Sequence, residues 1–333
     1  MAVRIGLTGD VMLGRLVDER QSRRPVTAVW GDLLPELDTL DGLFVNLECC
    51  LSARGRPWAR TDRPFHFRAN PDWAVPALRR AGVDCCALAN NHVLDFEVEA
   101  LDDTLDHLDR GEIAHAGAGR DRTEAFEPAI VPVGDLDVAF VSLTDNTPEY
   151  AATASAPGTA HVEIDVEDER TRTAVADALS RARKRDHDLL VASLHWGPNM
   201  VTEPPDSFRA FARYLVEEGV DVVHGHSAHA FQGVELYRGR PVLYDTGDFV
   251  DDYAVNPHLH NDRSFLFELV VAAGGELTEL RLRPTEIHEF AVHHASRSAA
   301  EWSRRRMRDL SLAFDTTFDR DGESLVLDLD GRA

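Results

Sequence analysis

Five short apolar runs in this chain each end abruptly in a polar motif, and helical patterns fill most of the intervals between them. Residues 3–8 lead into Gly9-Asp10, and residues 43–45 into Asn46-Leu47-Glu48. Residues 83–89 lead into Asn90-Asn91-His92-x-x-Asp95, and residues 189–194 into His195-Trp196-Gly197. Residues 220–223 lead into His224-Gly225-His226-Ser227-Ala228-His229. Continuous apolar runs of this length, bounded by turn residues, read as strands covered on both faces. Strands alternating with helices imply a largely parallel sheet. Open α/β sheets place their sites at the carboxyl ends of strands, and here those ends deliver Asp, Glu, Asn and several His. That is the ligand mix of a hydrolytic metal centre built on oxygen and imidazole.

The rest of the chain fits this frame. Helical spacing is predicted over 71–81, stopped by Gly82, and over 96–109, with Leu101, Leu105 and Leu108 on one face. Further helices are predicted over 169–184 and 207–218. Hairpins are predicted around Gly134-Asp135, Arg238-Gly239-Arg240 and Gly274-Gly275. An Arg-rich amphipathic helix follows over 298–314, with an edge strand or tail after it. The polar stretch 151–159 reads as a flexible loop. Motifs fall on both sides of it, so the site needs both halves. The expectation is one domain over 1–290, with a helix and tail over 291–333 packed on it.

The chain carries 58 acidic against 35 basic residues, a net charge of −23, with Lys184 as its one lysine. Such a surface repels nucleic acid and anionic membranes. It is the composition of a protein kept soluble in concentrated salt, so the expected setting is a halophile's cytoplasm. Residues 3–8 enter a motif at once, without the pattern of an export signal, and no apolar stretch approaches a membrane span. The cysteines are two adjacent pairs, Cys49-Cys50 and Cys85-Cys86. Neighbours on a strand point to opposite faces, so these read as small core residues and not as a metal or redox motif.

Taken singly, the motifs differ in weight. Gly9-Asp10 is as easily a helix cap as a ligand. Glu48, in line with an apolar strand, is costly to bury without a partner, and a position between two cations would remove that cost. An Asn amide oxygen is a hard neutral ligand. His92 then stands beside the metal as a proton donor, and Asp95, one helical turn on, orients it; the competing reading is an Asn-rich turn capping a helix. His195 has no capping duty, which favours a ligand. Of the three clustered histidines, His224 is expected to face the opposite side from the site or to pack in the core. His258, His260, His293, His294 and the run Arg304-Arg305-Arg306 read as solvated. Dinucleotide, P-loop and nucleophile-elbow signatures are missing.

An ordered series of motifs resembles the CapA family of capsule and poly-γ-glutamate synthesis proteins. It comprises Gly9-Asp10-Val11-Met12-Leu13-Gly14-Arg15, Asn46-Leu47-Glu48, Phe67-Arg68, Leu88-Ala89-Asn90-Asn91-His92 with Asp95, Gly117-Ala118-Gly119, His195-Trp196-Gly197, Gly225-His226-x-x-His229 and Tyr244-x-x-Gly247-x-Phe249. The family is similar to calcineurin-like metallophosphoesterases. The resemblance therefore implies a four-layer α/β/β/α sandwich with a two-metal site for Mn²⁺, Mg²⁺ or Zn²⁺. By the same resemblance Asp10, Glu48, Asn91, His195, His226 and His229 are metal ligands, with Glu48 bridging, and His92 is the proton donor. Arg15 and Arg68 are candidates to bind substrate anions, and Asn46 and Trp196 are counted with them. Three positions depart from the pattern. Met12 stands where phosphoesterases carry His, Glu48 where they carry Asp, and Asp248 where the family carries Asn. The implied activity is hydrolysis of a small anionic or polyglutamyl substrate at a phosphoester. The alternatives are a γ-glutamyl amide hydrolase and a non-catalytic accessory subunit that partners poly-γ-glutamate synthesis proteins.

Overall fold

The central apolar runs are covered on both faces. All six residues of the strand Gly42–Leu47 and all seven of Leu189–His195 are buried, as parallel strands between helical layers must be. In the computed structural model, which describes residues 2–330, these runs form the cores of two mixed sheets. The first has ten strands. Its main path runs Asp319–Asp321, Ser324–Asp328, Leu277–His288, Arg263–Val271, Val3–Val11, Gly42–Leu47, Val83–Ala87 and Ala114–Ala116. The last four are parallel neighbours, and the hairpin half is antiparallel. The short strand Asp248–Val250 pairs with the end of Val3–Val11, setting Asp10 opposite Asp248. The second sheet has six strands, in the order Val234–Tyr237, Arg240–Leu243, Val222–His226, Leu189–His195, Leu136–Thr144 and Ala129–Val133.

Three apolar cores hold these layers. Ile5, Leu7, Phe44, Phe140, Val191 and Phe267 fill the space between the sheets, with the Phe44 and Phe140 rings 5.2 Å apart. Trp73 and Leu78 of the helix Pro71–Arg80, with Leu101 and Leu105 of Glu97–Arg110, cover the outer face of the first sheet. Val175 and Leu179 of Glu169–Arg183, with Phe211 and Leu215 of Asp206–Glu217, cover the second. Burying each such side chain is worth about 1.5–3 kcal/mol. The result is the α/β/β/α sandwich expected from the sequence. Cys85 faces the inter-sheet core and Cys86 the outer one. All four cysteines are buried and free, and burial pushes their thiols up.

The C-terminal helix corrects one expectation. Arg304 is not solvated. Met307 and Leu310 of Arg297–Ser311 join the inter-sheet core, which turns Arg304 inward. There its side chain is 2% exposed and pairs with Glu301 and Glu323 at 2.9 and 2.8 Å. His293 stacks on His288 with ring centroids 3.7 Å apart. The stretch 151–159, expected to be a flexible loop, is tied down where Gly158–Thr159 pairs with Ala118–Gly119. The helix Arg15–Gln21 follows the first motif without a strong periodic signal.

Candidate functional site

The carboxyl ends of the central strands of both sheets meet at one place. Asp10 ends Val3–Val11, Glu48 follows Gly42–Leu47, and His195 and His226 end parallel neighbours in the second sheet, directly opposite one another in register. Two glycines permit the approach. A side chain at Gly9 would lie 1.9 Å from the Gly247 carbonyl oxygen, and one at Gly225 would lie 2.1 Å from that of Tyr244. After the second strand the chain turns sharply: Ser227 and His229 take φ of 115° and 57°. Non-glycine residues in that region store about 1–3 kcal/mol each and concentrate at functional sites.

Two groups of side chains bring enough ligand atoms together that each could hold a cation. Asp10, His195 and His226 form one, and Asp10, Glu48 and His229 the other, each with its ligand atoms within 4.8 Å of one another. Asp10 is common to both. Its Oδ1 lies 3.4 Å from His226 Nδ1 and 3.9 Å from His195 Nδ1, and its Oδ2 lies 3.7 Å from His229 Nδ1. Glu48, expected to stand between two ions, belongs to one group and approaches the other, with Oε1 3.8 Å from His195 Nε2. Asn91 sits beside them on the cavity wall.

The chemistry of these residues fits divalent cations. Asp10 Oδ2, Glu48 Oε1 and Asn91 Oδ1 are buried with no hydrogen-bond partner among the described residues. Such orphans are costly unless something satisfies them. Burial pushes Asp10 up to about 6, against the pull of His229. Burial, then the charge of Asp10, hold Glu48 well above the usual carboxylate range. Burial, then neighbouring imidazoles, hold His195 and His226 well below the usual histidine range. Crowded acids that lack a counter-charge, beside imidazoles kept neutral and with the two Nδ1 atoms of His195 and His226 only 3.0 Å apart, suit a metal site before the metal arrives. Ser193 Oγ, 2.8 Å from His226 Nε2, leaves Nδ1 facing Asp10.

Next to this cluster stands a histidine–carboxylate pair, His92 and Asp95. Asp95 can only accept, so His92 Nδ1 carries the hydrogen and donates to Asp95 Oδ2 over 2.5 Å. His92 Nε2 then faces Glu48 Oε1 at 3.9 Å. Asp95 also accepts from the Phe67 backbone N–H at 2.7 Å and the Tyr150 hydroxyl at 3.1 Å. Phe67 stacks on the imidazole at 3.8 Å. Burial lowers the His92 pKa, and Asp95 opposes it.

A cavity of about 590 Å³ adjoins the cluster, lined by Asn91, His92 and His229 together with Arg15, Phe65 and Tyr253. Arg15 lies over the Phe65 ring at 5.0 Å and pairs with Asp252 at 2.8 Å. The other three expected substrate contacts lie elsewhere. Arg68 stacks on Phe96 at 4.1 Å and donates to the Arg54 carbonyl, outside the cavity lining. Asn46 is fully buried, donating to Asp10 Oδ1 at 2.7 Å and accepting from Asn90, outside the cavity lining. Trp196 is 3% exposed and donates to the Tyr244 carbonyl from the outer core. His224 packs between the sheets, its Nε2 2.8 Å from the Thr8 carbonyl oxygen, as expected.

Three site residues escaped the sequence reading. Arg63 lines the cavity, donates to the Asn91 carbonyl and Thr147, and lies 3.6 Å from Asp95. It sits in a polar stretch without periodicity, so no sequence signal marked it. Tyr253 donates to Glu48 Oε2 at 3.1 Å. Asp248, noted only as a departure, lies 2.9 Å from His229 Nδ1.

A family model described as bacterial capsule synthesis protein PGA_cap matches residues 4–253. A Mycobacterium tuberculosis protein named a probable polyglutamine synthesis accessory protein is 34% identical, covering 94% of this chain and 92% of its own length. The Bacillus anthracis capsule biosynthesis protein CapA is 27% identical, covering 79% of this chain and 66% of its own. The crystal structure of a hypothetical protein from Thermus thermophilus superposes with a TM-score of 0.51 at 18% identity, covering 86% of this chain and all of its own, a likeness of fold.

Proposed function

We propose that this chain, which belongs to the bacterial capsule synthesis (CapA) family, is a metal-dependent hydrolase of phosphoester type working within poly-γ-glutamate synthesis. One observation carries the reading: buried acids with orphaned oxygens and neutral imidazoles converge from the strand ends of two sheets, beside a histidine–carboxylate pair and an open cavity. Divalent ions bound there would polarise a substrate oxyanion and supply an activated water. The chain's own residues do the rest. Asp95, held by the Phe67 N–H and the Tyr150 hydroxyl, fixes the ring of His92 so that Nε2 meets the leaving group. The lowered pKa makes protonated His92 a readier acid. Arg15 presents positive charge to an anionic group at the cavity wall, and Phe65 and Tyr253 exclude water on that side. The same residues would serve a γ-glutamyl amide bond. We place the protein in the cytoplasm; no helix among the described residues is long and apolar enough to cross a membrane.

The name of the mycobacterial relative favours a second reading, an accessory subunit that uses the fold as a platform for partner synthesis proteins. Metal analysis of purified protein, followed by a screen of phosphoester and γ-glutamyl substrates in high salt, separates the two. Bound divalent metal with turnover of either class supports the hydrolase. Bound metal with no turnover of any substrate moves the assignment to the accessory subunit, and absence of divalent metal refutes the metal-dependent reading.

A further inference from the structure

The stretch Asp245-Thr246-Gly247-Asp248-Phe249-Val250-Asp251-Asp252 brings four acids to the edge of the cluster, and they do different work. Asp245 accepts from the backbone N–H groups of Ala228 and Gly247 at 2.7 and 2.8 Å, which shapes the turn. Asp252 pairs with Arg15. Asp251 accepts from the Tyr253 backbone N–H at 2.9 Å through Oδ1 alone, and the only donor Asp248 meets is His229. Asp248 lies opposite Asp10 in the parallel pairing of their strands, so both side chains leave the same face. Its Oδ1 is 2.9 Å from His229 Nδ1, the nitrogen that also lies 3.7 Å from Asp10 Oδ2. Its Oδ2 is buried with no partner among the described residues, and so is Oδ2 of Asp251, whose carboxyl group lies within hydrogen-bond reach of Asp248. Two buried carboxylates beside each other, each with an orphaned Oδ2, and one imidazole shared with Asp10 leave negative charge that a cation would satisfy.

We propose that Asp248 is a direct ligand of a divalent cation held by Asp10, Glu48 and His229, with Asp251 behind it adding negative charge. This rests on the metal-centre reading above and extends it to a difference between the two positions. The first then offers three carboxylates and one imidazole. The second, with Asp10, His195 and His226, is rich in imidazole. Carboxylate oxygen suits Mn²⁺ and Mg²⁺, and imidazole suits Zn²⁺. The position at Asp248 is therefore the one that takes the harder ion.

The test is Mn²⁺ binding to the full chain by equilibrium dialysis and calorimetry, in wild type, Asp248→Asn and His195→Ala. Wild type should bind two ions. Asp248→Asn should weaken one binding event by about tenfold or more and leave the other unchanged, because affinity at such sites follows ligand charge. His195→Ala should weaken the other event. Asparagine keeps an oxygen that accepts the same bond from His229, so a residue that only orients His229 would tolerate it. Both events unchanged in a folded Asp248→Asn, with wild type binding two ions, would overturn this inference alone. Wild type binding no divalent ion would overturn it together with the metal-centre reading. Should Asp248→Asn not fold, Asp248→Ser, smaller and neutral, must show the same selective loss, and its absence refutes the assignment equally.

Discussion

Replacing Asp10 by asparagine should make the protein more stable without metal and less stable with it. Asp10 is fully buried, and its burial pushes the carboxyl pKa from 3.8 up to about 6. At about 1.4 kcal/mol per pH unit, holding that charge in the folded state costs about 3 kcal/mol at pH 8. The sign follows from linkage. A raised folded pKa means the native state holds its proton longer than the unfolded chain. The associated stability is therefore full below about pH 4 and lost as pH rises through 6. Asparagine carries no charge at any pH and still accepts from Asn46. Unfolding entropy of about 2.1 cal/mol/K per residue gives ~0.7 kcal/mol/K for a chain of this length, so the gain in chelator at pH 8 is ~4 °C. At pH 5 the gap should shrink, because wild-type Asp10 is then largely protonated. Saturating Mn²⁺ reverses the order. An ion at a hundredfold its Kd adds about 2.7 kcal/mol to the protein that binds it, and Asp10→Asn removes the acid common to both groups. Thermal melts of the two proteins at pH 5 and pH 8, with chelator and with Mn²⁺, give four comparisons. Equal melting in chelator at pH 8, or an equal rise with Mn²⁺ in both proteins, would refute the assignment of Asp10 as an uncompensated buried acid that awaits a cation.

Three other outcomes are expected. His92→Ala should keep its bound metal and lose about 10²–10⁴-fold in turnover, Asp95→Asn should lose less, and Glu48→Gln should lose metal as well as rate; full activity in His92→Ala excludes the acid role. With a net charge of −23, the melting temperature should climb as KCl shortens the Debye length from about 30 Å at 0.01 M to about 3 Å at 1 M, and a flat or falling curve would exclude the halophilic reading. Phe140→Ala, which empties part of the inter-sheet core, should cost about 3–5 kcal/mol in urea titrations, whereas Leu312→Ala at a 59% exposed position should stay within about 0.5 kcal/mol.

Much of this architecture was legible because the central strands carry their own signal. A run such as 189–194 is apolar at every position but Ser193, since helices and the opposite sheet cover both of its faces. The polar residue that ends it is conspicuous for the same reason, and so His195, His226 and Glu48 stood out. Trp196 and Arg68, two of the three expected substrate contacts that lie outside the cavity lining, are turned from it by strand geometry. Trp196 follows His195 directly, and side chains of adjacent residues leave a strand end on opposite sides. That sends the indole to the outer core while the imidazole enters the site. Arg68 follows Phe67 in the same way: Phe67 stacks on His92, and Arg68 turns out to Phe96.

Asp251 was hidden by composition, and Asp248 was marked only as a departure from the family pattern. A chain with 58 acidic residues gives a further aspartate little weight, and acids spaced three apart look like one more solvated face. Burial alone separates them from the surface acids. Asp248 and Asp251 are 1% and 5% exposed, while Asp206, equally unremarkable in sequence, has a fully exposed side chain. The two populations also answer to different counter-ions. Surface acids are satisfied by bulk salt, which screens them without binding at fixed positions. Buried acids with orphaned oxygens need a partner at a fixed point. Potassium chloride and Mn²⁺ should therefore stabilise this protein independently, salt through the surface charge and the divalent ion through Asp10, Glu48 and Asp248. Molar KCl should not replace Mn²⁺ in restoring the stability that chelator removes. If it did, the buried acids would be in contact with solvent, and the assignment of the cluster as a cation site would fall with that result.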